Sequence, residues 1–227
     1  MKRKISGFLM LCIMIMLFPM KANAANWYYA AGNYVNSAPV KPTTGLKFYV
    51  DYSAIITYGS GAFTAAFDWN GSYIGNVSTV AQYPASPTEF PGYFLINTDS
   101  SLSMYTCAQT FYYTSSGILI GGTDPMASTS IYKCRISFNC NQSVFNVNGS
   151  FNSTYLEKVV RHEVGHVFLL KHPTNTYFGS VMHQDAPNGS TISATVTMDD
   201  RNNIIAKWGS LTVKRSGKNE KISVDRY

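Results

Sequence analysis

Charged side chains are scarce in this chain. Asp, Glu, Lys and Arg make up only 13% of its 227 residues, while apolar residues reach 45% and aromatic ones 14%. A disordered chain needs the opposite balance, high charge and few aromatics, so that class is excluded. Glycine is limited to 17 residues without a three-residue period, and no heptad run appears, which excludes collagen-like and coiled-coil architectures. Internal repeats and blocks of like charge are missing too. Beyond residue 24 no apolar run is long enough to span a membrane. Cysteine amounts to four residues, but a chain of this length can bury a sizeable core without disulfides. The 16 Tyr and 13 Phe tilt the composition towards β-structure.

The first residues differ in kind from the rest. Lys2, Arg3 and Lys4 precede an apolar run over 5–20, and Ala22-Asn23-Ala24 follows. That is a basic n-region, an apolar h-region and a small-x-small cleavage site. Residues 1–24 are therefore expected to be a signal peptide cut after Ala24. The alternative, an uncleaved anchor, suffers from a run shorter than the roughly 20 residues a spanning helix needs. The expected mature protein is secreted, extracellular, soluble and free of the membrane. Lys2, Arg3, Lys4 and Lys21 also carry four of the six net positive charges, leaving 14 basic against 12 acidic residues. A nucleic-acid partner thereby loses most of its support.

Cys12 belongs to the leader, so the mature chain keeps Cys107, Cys134 and Cys140. An odd number permits at most one disulfide per monomer. Over 131–140, Tyr132, Cys134, Ile136, Phe138 and Cys140 share one face of an expected strand, and Lys133, Arg135, Ser137 and Asn139 the other. In a straight strand Cys134 and Cys140 stand about 20 Å apart, too far to bond to each other. A bridge from Cys107 to one of them stays open, as does no bridge.

Elsewhere the elements read as follows. Residues 26–44 form an extended arm and 46–58 a strand. The Ala-, Phe- and Trp-bearing stretch 62–69 suits a short helix. Residues 70–130 must be short strands and loops, with Pro84, Pro87 and Pro91 marking one loop. Asn152-Ser153-Thr154 is a helix start signal. Apolar residues at 156, 159, 160, 164, 167 and 170 then recur at three- and four-residue steps, so 155–170 is the clearest helix. Residues 173–194 are loop-like. A second helix spans 198–207, with Thr197 as N-cap, Asp200 three residues on and Gly209 as the stop. The tail 210–227 is basic and polar.

The four histidines, His162, His166, His172 and His183, all fall within residues 162–183. His162-Glu163-x-x-His166 lies inside the expected helix, where residues four apart share a face, so both imidazoles can reach one ion. Glu163 points partly aside and can hold a water against that ion, the arrangement of zinc with a general base. His172 would leave this face if the helix continued. His172-Pro173 disfavours continuation, so a helix that stops and turns back near Leu170 could present His172 to the same ion. Three neutral imidazoles and a water make a tetrahedral zinc site with an open position.

Here the residues resemble a family. HEVGHVFLLKH at 162–172 is similar to the long zinc signature of metzincin metallopeptidases, HExxHxxGxxH, and Ser180-Val181-Met182-His183 resembles their Met-turn. TVTMDDRNNIIAKWG at 195–209 resembles the C-terminal helix of the matrixin branch, and AFTAAFDWN at 62–70, more weakly, its first helix. The resemblance implies an α+β fold: a metzincin-like catalytic domain over 25–209, with a mixed twisted β-sheet, an active-site helix and a small C-terminal lobe. It implies a secreted zinc endopeptidase with His162, His166 and His172 as metal ligands and Glu163 as the catalytic base. Met182 then forms an apolar floor beneath the metal, and Asp199 or Asp200 bonds to the Met-turn. The expected partner is a protein or peptide substrate in extended conformation. It would pair with an edge strand within 110–130 and meet a pocket shaped by the loop holding Tyr177 and Phe178. The expected state is a monomer. Calcium would rest on Asp124 beside Gly121-Gly122, a single acid in a loop.

Two positions depart from the family pattern. Leu169 stands where the family turns its helix on Gly, so either the turn closes differently or Leu169 is strained. Gln184 stands where some metzincins carry a Tyr after the Met-turn, which favours the matrixin-like branch. His183 could be a fourth ligand; a substrate contact or plain exposure is the preferred expectation. The competing function is a secreted binding or adhesion protein with a structural zinc site and no catalysis, suggested by Leu169 and the aromatic-rich middle. Closure of the site by His183 would favour it.

Overall fold

In the computed structural model, which describes residues 33–34, 46–70, 77–82, 94–120, 130–173, 179–184, 192–208, 214–215 and 218–219, the mixed sheet starts at β2. A two-residue strand β1 (Asn33–Tyr34) precedes it and pairs in parallel with β7 (Ser130–Ile131). β2 (Leu46–Asp51) lies in parallel between β3 (Val77–Gln82) and β4 (Phe94–Asp99), and β4 is parallel to β8 (Lys133–Asn139). β5 (Ala108–Tyr113) runs antiparallel to β8, and β6 (Leu119–Ile120) antiparallel to β5. The six strands stand in the order β3-β2-β4-β8-β5-β6. With its helices the fold is α+β.

The expected strand over 46–58 ends early. The Asp51 side chain accepts a hydrogen bond from the Ser53 N–H at 2.7 Å and caps helix α1 (Tyr52–Tyr58). That N-cap bond turns an extended chain into a helical one. Gly59, at φ +79°, stops the helix, and its N–H donates to the Ile55 carbonyl. The stretch expected to be a short helix is a 3-10 helix, Ser60–Trp69, which buries Phe63, Ala65, Ala66 and Trp69.

β8 shows the expected alternation only as far as Ile136, with Lys133 exposed and Cys134 and Ile136 buried; from there Ser137, Phe138 and Asn139 are all buried, so both faces of the strand's end are covered. The strand ends at Asn139, so Cys140 leaves the expected face and is exposed. The Asn139 side chain is occupied in donating to the Ser103 and Thr106 carbonyls, and this ties the β4–β5 connection to the sheet. Among the described residues no disulfide joins Cys107, Cys134 or Cys140.

A 3-10 turn (Gln142–Phe145) and the hairpin β9 (Asn146–Val147) and β10 (Ser150–Phe151) lead into the long helix. Asn148 and Gly149 both adopt positive φ at the hairpin tip, as Asn-Gly does in tight hairpins. Helix α2 (Ser153–Val167) starts at Asn152, whose side chain accepts from the Tyr155 N–H. It buries Leu156, Val159, Val160, Val164 and Val167 against the sheet and the 3-10 helix 60–69. Fully burying a side chain of this size contributes about 1.5–3 kcal/mol. Trp69 is fully buried, and its indole N–H donates to the Arg161 carbonyl.

Helix α3 (Met198–Trp208) follows, and the Trp208 indole donates to the Phe168 carbonyl, just past the end of α2. Arg201 donates to the carbonyls of Asp68 and Asn70. These bonds hold the downstream lobe against both α2 and the 3-10 helix. In the tail, β11 (Lys214–Arg215) and β12 (Lys218–Asn219) pair antiparallel. The leader 1–24, most of the arm 26–44, the Pro84, Pro87 and Pro91 loop, Asp124, Tyr177 and Phe178 lie outside the described residues. Among the described residues no helix is long and apolar enough to cross a membrane.

Candidate metal centre

Three imidazoles meet at one point. His162 and His166 stand one turn apart on α2, and their Nε2 atoms are 3.1 Å apart. The Nε2 of His172 lies 3.0 Å from that of His162 and 3.1 Å from that of His166. The three atoms form a nearly equilateral triangle.

His172 arrives there because the helix closes on a left-handed residue. The Leu170 N–H donates to the Gly165 carbonyl and the Leu169 N–H to the His166 carbonyl, with Leu169 at φ +63°. This pair of bonds is a Schellman ending, which normally places Gly at the left-handed position. Of the two outcomes left open by the sequence, the structure takes the strained one. A left-handed conformation costs a residue with a Cβ roughly 1–2 kcal/mol. Full burial of the Leu169 side chain offsets this by about 1.5–3 kcal/mol. The two substitutions at this site should therefore rank in an unusual order. Leu169→Ala keeps the strain and loses the burial, whereas Leu169→Gly loses the burial but sheds the strain. In urea unfolding both variants should be less stable than the wild type, with Ala below Gly by about 1 kcal/mol. The reverse order would mean that the positive φ is not maintained.

The donor chemistry suits a metal cation. His162 Nδ1 lies 2.7 Å from the Val181 carbonyl and His166 Nδ1 lies 2.9 Å from the Leu170 carbonyl. A carbonyl only accepts, so both Nδ1 atoms carry the proton and both Nε2 atoms are bare lone pairs facing one another. Such convergence repels unless a cation lies between. Burial, and next the neighbouring imidazoles, push His162 well below its usual range. Burial pushes His166 and His172 down to about 4. All three are thus neutral ligands at pH 7. Together the three would supply the ligand set of a three-histidine zinc site, whose fourth position is taken by water or substrate. Among the described residues these three make up the one group of His, Cys, Asp or Glu ligand atoms that could hold a metal ion.

Glu163 is 6% exposed and lies beside His162 on α2. Burial raises its carboxyl to about 7, against the opposing effect of a hydrogen bond from Thr110. Thr110 Oγ1 lies 2.5 Å from Glu163 Oε2 and 3.2 Å from the Glu163 carbonyl. Two residues along β5, Tyr112 donates its hydroxyl to the His166 carbonyl at 2.7 Å. Neither residue is singled out by the sequence. The signal that could find them is the shared face of Ala108, Thr110 and Tyr112 on a strand.

Met182 is fully buried and packs on α2 at Gly165. A Cβ added at Gly165 would stand 2.1 Å from its Sδ and 3.0 Å from the Trp69 ring, so Gly165 is what lets the thioether sit against the helix. The Ser180–His183 turn is anchored from α3. Asp200, fully buried, accepts from the Ser180 hydroxyl and from the Val181 N–H at 3.2 Å. It also accepts from the Thr197 N–H and hydroxyl at 2.9 and 2.7 Å, which completes a capping box at the α3 N-terminus. Of the two acids at 199 and 200, Asp200 makes the bond to the turn. His183 is buried, where a substrate contact or an exposed side chain was expected.

No family model matches this sequence, and no curated protein does. Among solved structures, archaemetzincin from Methanopyrus kandleri matches 74% of this chain and 98% of its own at 12% identity and a TM-score of 0.48. Myroilysin matches 87% of this chain and 76% of its own at 15% identity and a TM-score of 0.33. At such scores the superposition is partial, and the site stands on its own geometry.

Proposed function

We propose that the protein is a zinc-dependent endopeptidase, with His162, His166 and His172 holding the metal and Glu163 acting as general base. The observation that carries this reading is the convergence of three neutral Nε2 atoms, with a buried carboxyl on the residue next to the first of them. Zinc bound there would supply a Lewis acid and bring the pKa of a coordinated water from 15.7 towards about 7. Glu163 takes the proton from the attacking water and returns it to the departing amine. Val181 and Leu170 lend their carbonyls to fix the ring planes of His162 and His166. Met182, packed on α2 at Gly165, would serve as the apolar floor.

The substrate would be an extended peptide running along the β5–β6 side of the sheet, paired through its backbone. Among the described residues, β6 pairs with Tyr112 and Tyr113 of β5. Secretion is part of the same proposal and rests on the leader at residues 1–24. The opposing reading, a structural zinc site in a binding protein, calls for four protein ligands. Among the described residues three converge, and His183 is not one of them. The calcium expectation at Asp124 falls outside the described residues.

The test is cleavage of a mixed peptide library by the purified protein, zinc-loaded and then stripped with a chelator. Cuts should appear with zinc, vanish on stripping and return when zinc is restored. A protein that holds zinc and makes no cuts would overturn the peptidase reading in favour of the structural site.

A further inference from the structure

The geometry points to Thr110 as the positioning residue for the Glu163 carboxyl, its hydroxyl holding Oε2 so that Oε1 remains the oxygen for proton transfer. For its effect on turnover this rests on the peptidase reading; the bond itself does not.

Thr110 is 4% exposed and Glu163 6%, so bulk water does not compete for either group. Their oxygens lie 2.5 Å apart, within the short range of hydroxyl-to-carboxylate bonds. The second acceptor in reach of the same hydroxyl is the Glu163 main-chain carbonyl, at 3.2 Å. One donor therefore faces both the side chain and the backbone of a single residue. A glutamate has three side-chain torsions, and a carboxyl held at one oxygen loses most of that freedom before any substrate arrives. The donor sits on β5, whose register with β8 is set by six paired positions, so it is part of a rigid strand. Tyr112, two residues on, ties the same strand to the carbonyl of His166. The alternative is a threonine that only fills space in the core, a part that valine would play as well.

Thr110→Val removes the hydroxyl at nearly constant volume, and Thr110→Ser keeps it. The chain has four glutamates, Glu89, Glu157, Glu163 and Glu220. Carbon-13 labelling of glutamate Cδ thus yields four carboxyl signals, and that of Glu163 is the one lost in Glu163→Gln. In the zinc-loaded protein at fixed pH, Thr110→Val should shift the Glu163 signal while the other three stay, and Thr110→Ser should restore it. On the peptide library, Thr110→Val should lower kcat by about 10–100-fold, with KM and zinc content unchanged, and Thr110→Ser should recover most of the loss. If Thr110→Val fails to fold, Thr110→Ala serves as the hydroxyl-free variant. An unmoved Glu163 signal in a folded hydroxyl-free variant would overturn the inference. So would Thr110→Ser behaving as Thr110→Val does. A zinc-loaded wild type that cuts nothing would count against the peptidase reading alone, since the carboxyl signal still decides the bond.

Discussion

Glu163→Gln should keep its zinc and lose about 10²–10⁴-fold in kcat/KM, the span that a positioned acid–base group contributes. Gln has nearly the shape of Glu and its amide oxygen can still accept from Thr110, so the packing around α2 is preserved. What disappears is the ability to take a proton. The three imidazoles that would hold the metal do not include this side chain, so metal content measured by atomic absorption should match the wild type. A stability measurement separates loss of chemistry from loss of fold. Burial raises the Glu163 carboxyl from 4.5 to about 7. In the metal-stripped protein its contribution is therefore fully present below about pH 4.5 and is lost as pH rises through about 7. Gln has no charge to bury. The stripped variant should melt at or above the stripped wild type at pH 8, and the difference should shrink at pH 5. Wild-type turnover in Glu163→Gln would remove the general base from the mechanism.

Asp200→Asn should cost the fold about 3 kcal/mol or more. The carboxylate is fully buried and accepts from the Ser180 hydroxyl, the Val181 N–H and both the N–H and hydroxyl of Thr197. Each hydrogen bond to a charged group contributes about 1.5–3 kcal/mol. Asn would replace one acceptor oxygen by an NH₂ group that points at donors. The damage should spread beyond α3, because Asp200 ties the start of that helix to the Ser180–His183 turn. Val181 in turn supplies the carbonyl that fixes the His162 ring. Zinc affinity, measured by chelator competition, should therefore fall by roughly 10–100-fold alongside the loss in urea stability. A variant with wild-type stability and affinity would show that the turn needs no such anchor.

The part of this molecule that is legible in the sequence is local. His162, Glu163 and His166 share a helical face by spacing alone, and Asn152 and Thr197 mark helix starts by their side-chain chemistry. Leu169 raises its own question by standing where the family turns on Gly, and of the two outcomes left open the turn takes the left-handed one. What is not legible depends on partners far away in the chain. Thr110 and Glu163 are separated by 53 positions, and β5 hides its inward face because Phe111 and Tyr113, on the opposite face, are aromatic too. The break at Asp51 is masked by the β-branched Ile55 and Ile56 that follow, although Asp51 and Ser53 carry the cap between them. The Asn148-Gly149 pair is a short-range hairpin signal just ahead of the helix start at Asn152.

The chain has three tryptophans, Trp27, Trp69 and Trp208. Two of their indoles are fastened to the backbone around the metal centre, Trp69 to the Arg161 carbonyl and Trp208 to the Phe168 carbonyl. Arg161 immediately precedes the first histidine, and Phe168 lies where α2 gives way to the turn that delivers the third. The ultraviolet emission of this protein is consequently an optical gauge of its own centre. Loosening of α2 or of its last turn alters the surroundings of Trp69 or Trp208, and the fluorescence registers it without an added dye.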